Sequence, residues 1–251
     1  MDCPIGEMRA TVFTSPIVYD ENNVKRVTEL LSTDDGFVAN QIKVTTVQIV
    51  PGLKINVPTT QENVPTEWEM VSEKKMLRIH FGPQKIDIVK SKFTNEQTIG
   101  YETSFCDWAK DFFNKIIERF SLAPTRLAFA PTYAPDWTKD FNKKSFNASV
   151  YKKDSFKNSE IANLLFKQVY RVKETLCERE ILFNYVAEAS EGQNIIENVK
   201  NKSITVKQML NLSLDINTYP GNGIEFTVDE MIDFFNNAPK YAKDFLGYYI
   251  G

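Results

Sequence analysis

Three carboxylates stand where strands would present them to a reaction: Asp87 in "KIDIVK", Asp215 in "LNLSLDIN", and Glu225 just beyond the turn "YPGNG". Two or three acids held together can bind a divalent ion that activates water against a phosphodiester. A metal-dependent nuclease or hydrolase is therefore one reading, with Asp87, Asp215 and Glu225 as its catalytic candidates. A plainer reading competes with it. Asp215 alternates with Leu212, Leu214 and Ile216, and acids alternating with aliphatics are what any half-exposed strand carries. The plainer reading is the stronger one, and neither a metal site nor a cofactor is expected.

Other chemistries find less support. A Ser–His–Asp or Cys–His system needs a histidine, and His80 is the only one. It stands in "LRIHFG", where Leu77, Ile79 and Phe81 form an apolar face and His80 joins Arg78 on the other, as a surface or hydrogen-bonded strand histidine would. No G-x-S-x-G elbow, G-x-x-x-x-G-K-[ST] loop or G-x-G-x-x-G turn occurs among the 10 glycines. Cys3, Cys106 and Cys177 are far apart and form no C-x-x-C pair, which argues against a disulfide framework or structural zinc and fits a reducing cytoplasm. No secretion signal is expected from "MDCPIGEMRATVFTSP", and no apolar run is long enough to span a membrane. The net charge of -3 excludes a chain that is basic throughout, so any polyanion site has to be local.

One such local segment exists. In "KDFNKKSFNASVYKKDSFK", Phe141, Phe146, Tyr151 and Phe156 recur every five residues among six lysines and two aspartates, a local balance of +4. Rings for stacking and lysines for phosphates suit single-stranded nucleic acid. The same residues suit a loop that docks on another protein. Lys143, Lys144, Phe146, Tyr151, Lys152, Lys153 and Phe156 are the candidate binding residues, against the bland alternative of an edge whose rings pack inward beneath solvated lysines.

The elements that must position these residues follow from periodicity. "EWEMVS", "MLRIHF" and "KIDIVKS" are strands, the last two joined at "GPQ". "EREILFNYVAEA" and "MLNLSLDINTY" alternate as strands, with Ile181, Phe183, Tyr185 and Ala187 on one face of the first. "ANLLFKQVYRVKE" is a strand or, over residues 161–172, a helix. In "SFCDWAKDFFNKIIERF", Phe105, Trp108, Ala109, Phe112, Phe113, Ile116, Ile117 and Phe120 make one broad helical stripe. That stripe is core, because eight such side chains at roughly 2 kcal/mol of burial each rival a domain's whole stability. Ser104 is its expected N-cap. Thr227 and Glu230 make a T-x-x-E capping box for a second Phe-bearing helix, which Pro239 kinks or splits. "AKDFFNK" and "MIDFFNN" echo one another across the two halves.

The order "IHFGPQKIDIVKS", "YETSFCDWAKDFFNKI", "LAFAPTY" and "MLNLSLDINTY" before a last helix resembles a sporadically distributed bacterial family of similar length and unknown function. In that family an Arg-rich strand ends in Tyr-Asn and a late strand carries two aspartates, whereas this chain has "APTYAPD" and "SLDIN". The resemblance implies an α+β fold and a patchily inherited accessory protein, and it transfers no catalytic residue.

The expected fold is thus α+β: mainly antiparallel sheet, amphipathic helices on one side, two halves of similar plan at residues 1–123 and 124–251. The expected function is a non-catalytic binding protein of the cytoplasm whose partner is another protein. It would serve as an antitoxin, a chaperone-like protein or a phage-defence accessory component. Single-stranded nucleic-acid binding through residues 139–157 is a further alternative.

Overall fold

The computed structural model describes residues 5–42, 46–47, 58–59, 67–94, 97–134, 165–198 and 203–247. In chain order the sheet strands are β1 (Ile5–Phe13), β2 (Val38–Gln41), β3 (Trp68–Ser72), β4 (Leu77–Phe81), β5 (Lys85–Ser91), β6 (Arg126–Tyr133), β7 (Leu165–Leu176), β8 (Arg179–Asn198) and β9 (Ser203–Thr218). Across the nine-stranded sheet they run β2-β3-β4-β5-β1-β6-β9-β8-β7. Every described pairing is antiparallel. A two-residue ladder between Thr46–Val47 and Pro58–Thr59 stands apart from it. Among the described residues the α-helices are α1 (Glu21–Thr28), α2 (Glu102–Phe120) and α3 (Val228–Gly247). An antiparallel sheet with separate helices is broadly the α+β fold that the sequence predicts. No described helix is long and apolar enough to cross a membrane.

Strand alternation decides which residues enter the core, because successive side chains point to opposite faces. Met8, Ala10 and Val12 of β1, Ile86 and Ile88 of β5, Leu127 and Phe129 of β6, and Leu212, Leu214 and Ile216 of β9 are all buried. Rings of α2 and α3 lie against residues of that face. Phe105 of α2 lies 6.2 Å from Phe129, and Phe234 of α3 lies 5.6 Å from Phe183 of β8. The two helices also meet each other through the echoed Phe-Phe pairs, with Phe113 and Phe235 stacked at 5.3 Å. The predicted apolar stripe of α2 is therefore core, although Trp108 and Phe120 stay partly exposed at its margins.

Each part of the chain supplies a contiguous block of the sheet. Residues 1–123 supply β2-β3-β4-β5-β1 and residues 124–251 supply β6-β9-β8-β7. The two sets join where β1 pairs with β6, from Phe13–Arg126 to Ile5–Tyr133. The "GPQ" turn closes β4 onto β5, with Gly82 N donating to the Lys85 carbonyl at 2.9 Å. The described part of "ANLLFKQVYRVKE" is strand, held against β8 along its length.

Helix ends show one success and one correction. At α3 the capping box forms as predicted: Thr227 N donates to Glu230 Oε2 at 2.8 Å, and Glu230 N donates to Thr227 Oγ1 at 3.2 Å. Arg179, at the start of β8, adds an ion pair to the same buried Glu230 at 2.6 Å, fastening the helix to the sheet. At α2 the N-cap is Tyr101, with no side-chain cap bond, rather than Ser104. Ser104 lies inside the first turn, and its hydroxyl donates back to the Tyr101 carbonyl at 2.9 Å, the competing local bond open to serine. Pro239 lies within α3 without dividing it.

Phe113 is fully buried and joins both helices to the core. Phe113→Ala is expected to lower unfolding stability by about 3–5 kcal/mol, the range for deleting a buried phenyl ring. Urea denaturation read by circular dichroism checks it.

Candidate binding pocket on the open sheet face

The residues that alternate with the core set form the other face of the sheet. Glu7, Arg9, Thr11 and Phe13 of β1 stand beside Lys85 and Asp87 of β5 on one flank. On the other flank are Arg126, Ala128, Ala130 and Thr132 of β6, then Ser213 and Asp215 of β9, Val186 and Glu188 of β8, and Lys167 of β7. These side chains line a depression of about 400 Å³, within the size range of small-molecule sites. Its shape follows from side-chain length. Ala128 and Ala130 keep the middle of the face low, while arginines, lysines and acids rise around them.

Asp87 is the most buried acid of this face, 4% exposed. The reading of Asp87 as an ordinary solvent-facing strand acid is corrected here. Thr11 Oγ1 donates to Asp87 Oδ1 at 2.6 Å, and Lys85 Nζ reaches Oδ2 at 2.7 Å. The register sets His80 opposite Asp87, with Nδ1 3.6 Å from Oδ2, an ion pair rather than a hydrogen bond. On its other side, His80 Nε2 meets Glu67 Oε2 at 3.0 Å. Burial by itself would raise the Asp87 carboxyl, but His80, Lys85 and Thr11 outweigh it and lower it from 3.8 to about 2. Asp87 raises the His80 imidazole above its ordinary value; burial opposes the shift and Glu67 reinforces it. The predicted hydrogen-bonded strand histidine thus lies between two carboxylates, both of which favour its protonated form.

Arg126 has a different environment. Its guanidinium stacks over the Phe13 ring at 4.6 Å, and its buried Nε has no hydrogen-bond partner. Burial pulls its pKa down and the Asp215 charge partly offsets this, although arginine stays protonated in any case. Asp215 Oδ1 accepts from Asn217 Nδ2 at 3.0 Å, and Asn184 Nδ2 donates in turn to Asn217 Oδ1 at 3.1 Å.

The sequence candidates separate in space. Asp87 and Asp215 share the open face, but β1 and β6 lie between their strands, so three strand spacings set them about 14 Å apart. Glu225 belongs to the exposed loop before α3, where its carbonyl accepts from Arg179 Nη2 at 3.3 Å. Among the described residues no group of three or more His, Cys, Asp or Glu side chains is arranged to hold a metal ion. Cys106 is buried in α2, and burial first, then Glu102 and Asp107, push its thiol up. Lys143, Lys144, Phe146, Tyr151, Lys152, Lys153 and Phe156 lie outside the described residues.

Sequence reasoning missed Arg9, Thr11, Lys85, Arg126, Lys167 and Glu188 as pocket residues. One signal was available: in "RLAFAPTY" the outward positions Arg126, Ala128, Ala130 and Thr132 are short except at one end, as suits a strand in the middle of a sheet with a hollow above it. Comparison with known proteins gives no match: no family model, curated protein or solved structure is similar to this chain.

The Asp87 network gives a signed pH dependence. Its carboxyl is more acidic folded than unfolded, so the ionised network stabilises the fold above about pH 4 and that contribution fades towards pH 2. The shift corresponds to about 2 kcal/mol. Urea midpoints measured between pH 5 and pH 2 are expected to fall less steeply in Asp87→Asn than in the wild type.

Proposed function

We propose that this chain is a non-catalytic binding protein that engages its ligand or partner with the open face of the sheet. One observation carries the reading. The acid–base side chains around Asp87 on that face are already committed to one another, Asp87 to Thr11, Lys85 and His80, and His80 to Glu67 and Asp87. A general base needs a free position within reach of the substrate proton and a pKa near the working pH. A carboxyl held at about 2 is far too weak a base, and both nitrogens of His80 face carboxylates. What the face offers instead is a hollow rimmed with charges, which suits recognition.

The finer fold reading belongs with this proposal. Helices gathered on one side leave the other free to bind, and the similar plan of the halves at 1–123 and 124–251 is retained as a reading of the echoed Phe-Phe helices. The family resemblance adds the expectation of an accessory component such as an antitoxin, a chaperone-like protein or a phage-defence factor acting on another protein in the cytoplasm. Lys143, Lys144, Phe146, Tyr151, Lys152, Lys153 and Phe156 would form a second contact region in that case. Metal-dependent hydrolysis draws no support from the separation of Asp87, Asp215 and Glu225.

Two variants test this in affinity purification from the native host. Ala130→Phe fills the hollow from its floor and leaves the helix-covered face untouched, so it is expected to keep the wild-type circular dichroism spectrum and lose the co-purifying partner. Changing Lys143, Lys144, Lys152 and Lys153 together to Glu is expected to abolish capture of a protein partner. Capture by Ala130→Phe equal to wild type would remove the open face from the account, and unchanged capture by the quadruple variant would remove residues 139–157.

A further inference from the structure

The pocket's charges pair off unevenly. Its lining holds four cations, Arg9, Lys85, Arg126 and Lys167, and four anions, Glu7, Asp87, Glu188 and Asp215. Three pairs form among them: Lys85 with Asp87 at 2.7 Å, Lys167 with Glu188 at 3.1 Å, and Arg9 with Glu7 at 3.4 Å. One charge of each sign is left over. Among the described residues neither Arg126 nor Asp215 has an oppositely charged side chain within ion-pair distance. The geometry keeps them from pairing with each other. Arg126 is drawn across β1 onto the Phe13 ring, whereas Asp215 is tied along its own strand to Asn217. Asp215 also stands farther up the face, between the rows set by the Ser213–Thr132 and Asn217–Ala128 pairs.

We propose that this pocket binds a small zwitterion of amino-acid size, its carboxylate on Arg126 and its ammonium on Asp215. The inference rests on the open face being the binding face and adds the chemistry of the occupant. Arg126 is suited to the carboxylate. Its planar fork takes two oxygens side by side, and Phe13 fixes the plane of the guanidinium. The Asp215 oxygens lie on the pocket wall with only a neutral amide donor on one of them, leaving acceptor capacity for an ammonium group. A dianionic phosphate fits less well, because Asp215 and Glu188 share the same wall and would repel a second negative charge. A purely apolar ligand would leave Arg126 and Asp215 buried beneath it without partners, which is costly. The alanine floor gives the ligand's carbon frame something to rest on.

The test uses the full chain and a panel of free L-α-amino acids covering acidic, basic, aliphatic and aromatic side chains. Thermal shift selects binders and titration calorimetry measures them. At least one free amino acid is expected to bind, with its N-acetyl and carboxamide forms each weaker by about tenfold or more, since each lacks one of the two charges. Asp215→Asn and Arg126→Gln are expected to weaken the free amino acid by a similar factor, and Asp215→Asn should leave binding of the N-acetyl form unchanged. Should Arg126→Gln fail to fold, the carboxamide comparison on wild-type protein decides the same point. No binding across the panel, or equal binding of the N-acetyl or carboxamide form, overturns the proposal. The two levels separate cleanly: with no amino acid bound, loss of the native partner in Ala130→Phe keeps the binding-face reading alone, and retention of that partner removes both.

Discussion

The structure depends on one constraint, the two-sidedness of a pleated sheet. Along β1, β3, β4, β5, β6, β8 and β9 every second side chain enters the core, and those positions are filled mostly by aliphatics and rings that are almost wholly buried. A fully buried Phe, Leu or Ile contributes roughly 2 kcal/mol, so none of these strands can slip by one residue without exposing its apolar set. The register fixed in this way also dictates the opposite face. Whatever lies between core positions has to lie together there, including Thr11 beside Asp87, His80 beside Asp87, and Arg126 beside Phe13.

That second face is unusual in how it resolves its charges. Asp87 is nearly as buried as the core residues behind it, and it is stable there because a hydroxyl, an ammonium and the His80 ring converge on it. An isolated carboxylate at that depth would instead be driven towards protonation. Between the paired groups, Arg126 and Asp215 form no ion pair among the described residues and stand on either side of a floor of alanines. The proposed ligand would sit between the paired groups on either side, on a support that the Asp87 contacts hold in place.

Much of this plan could be read in the chain itself. The alternation of β8 and β9, the core stripe of α2, the β4–β5 hairpin and the Thr227–Glu230 cap all follow from local spacing, and local spacing is physically sufficient for them. The site was less legible. His80, Asp87 and Thr11 come from three strands, and their meeting depends on which strand neighbours which. That β1 sits in the middle of the sheet, between β5 and β6, is settled by long-range packing, which has no signature in a short window. For the same reason the three acids picked out by residue type do not converge: Asp87 and Asp215 share a face but not a neighbourhood, and Glu225 belongs to a loop. Arg126 drew no notice because an arginine opening a strand is commonplace; stacking on Phe13 and the lack of a partner make it distinctive, and neither is visible in sequence.

The chain's single histidine offers a direct probe of the clamped face, since one imidazole gives one set of side-chain resonances. A pH titration of the His80 ring followed by NMR measures its protonation without any ligand or partner. A ring held between Asp87 and Glu67 is predicted to titrate above the ordinary 6.5. A ring that titrates below 6.5, with one nitrogen unprotonated and open to solvent at neutral pH, would contradict the account and restore His80 as a base available for catalysis.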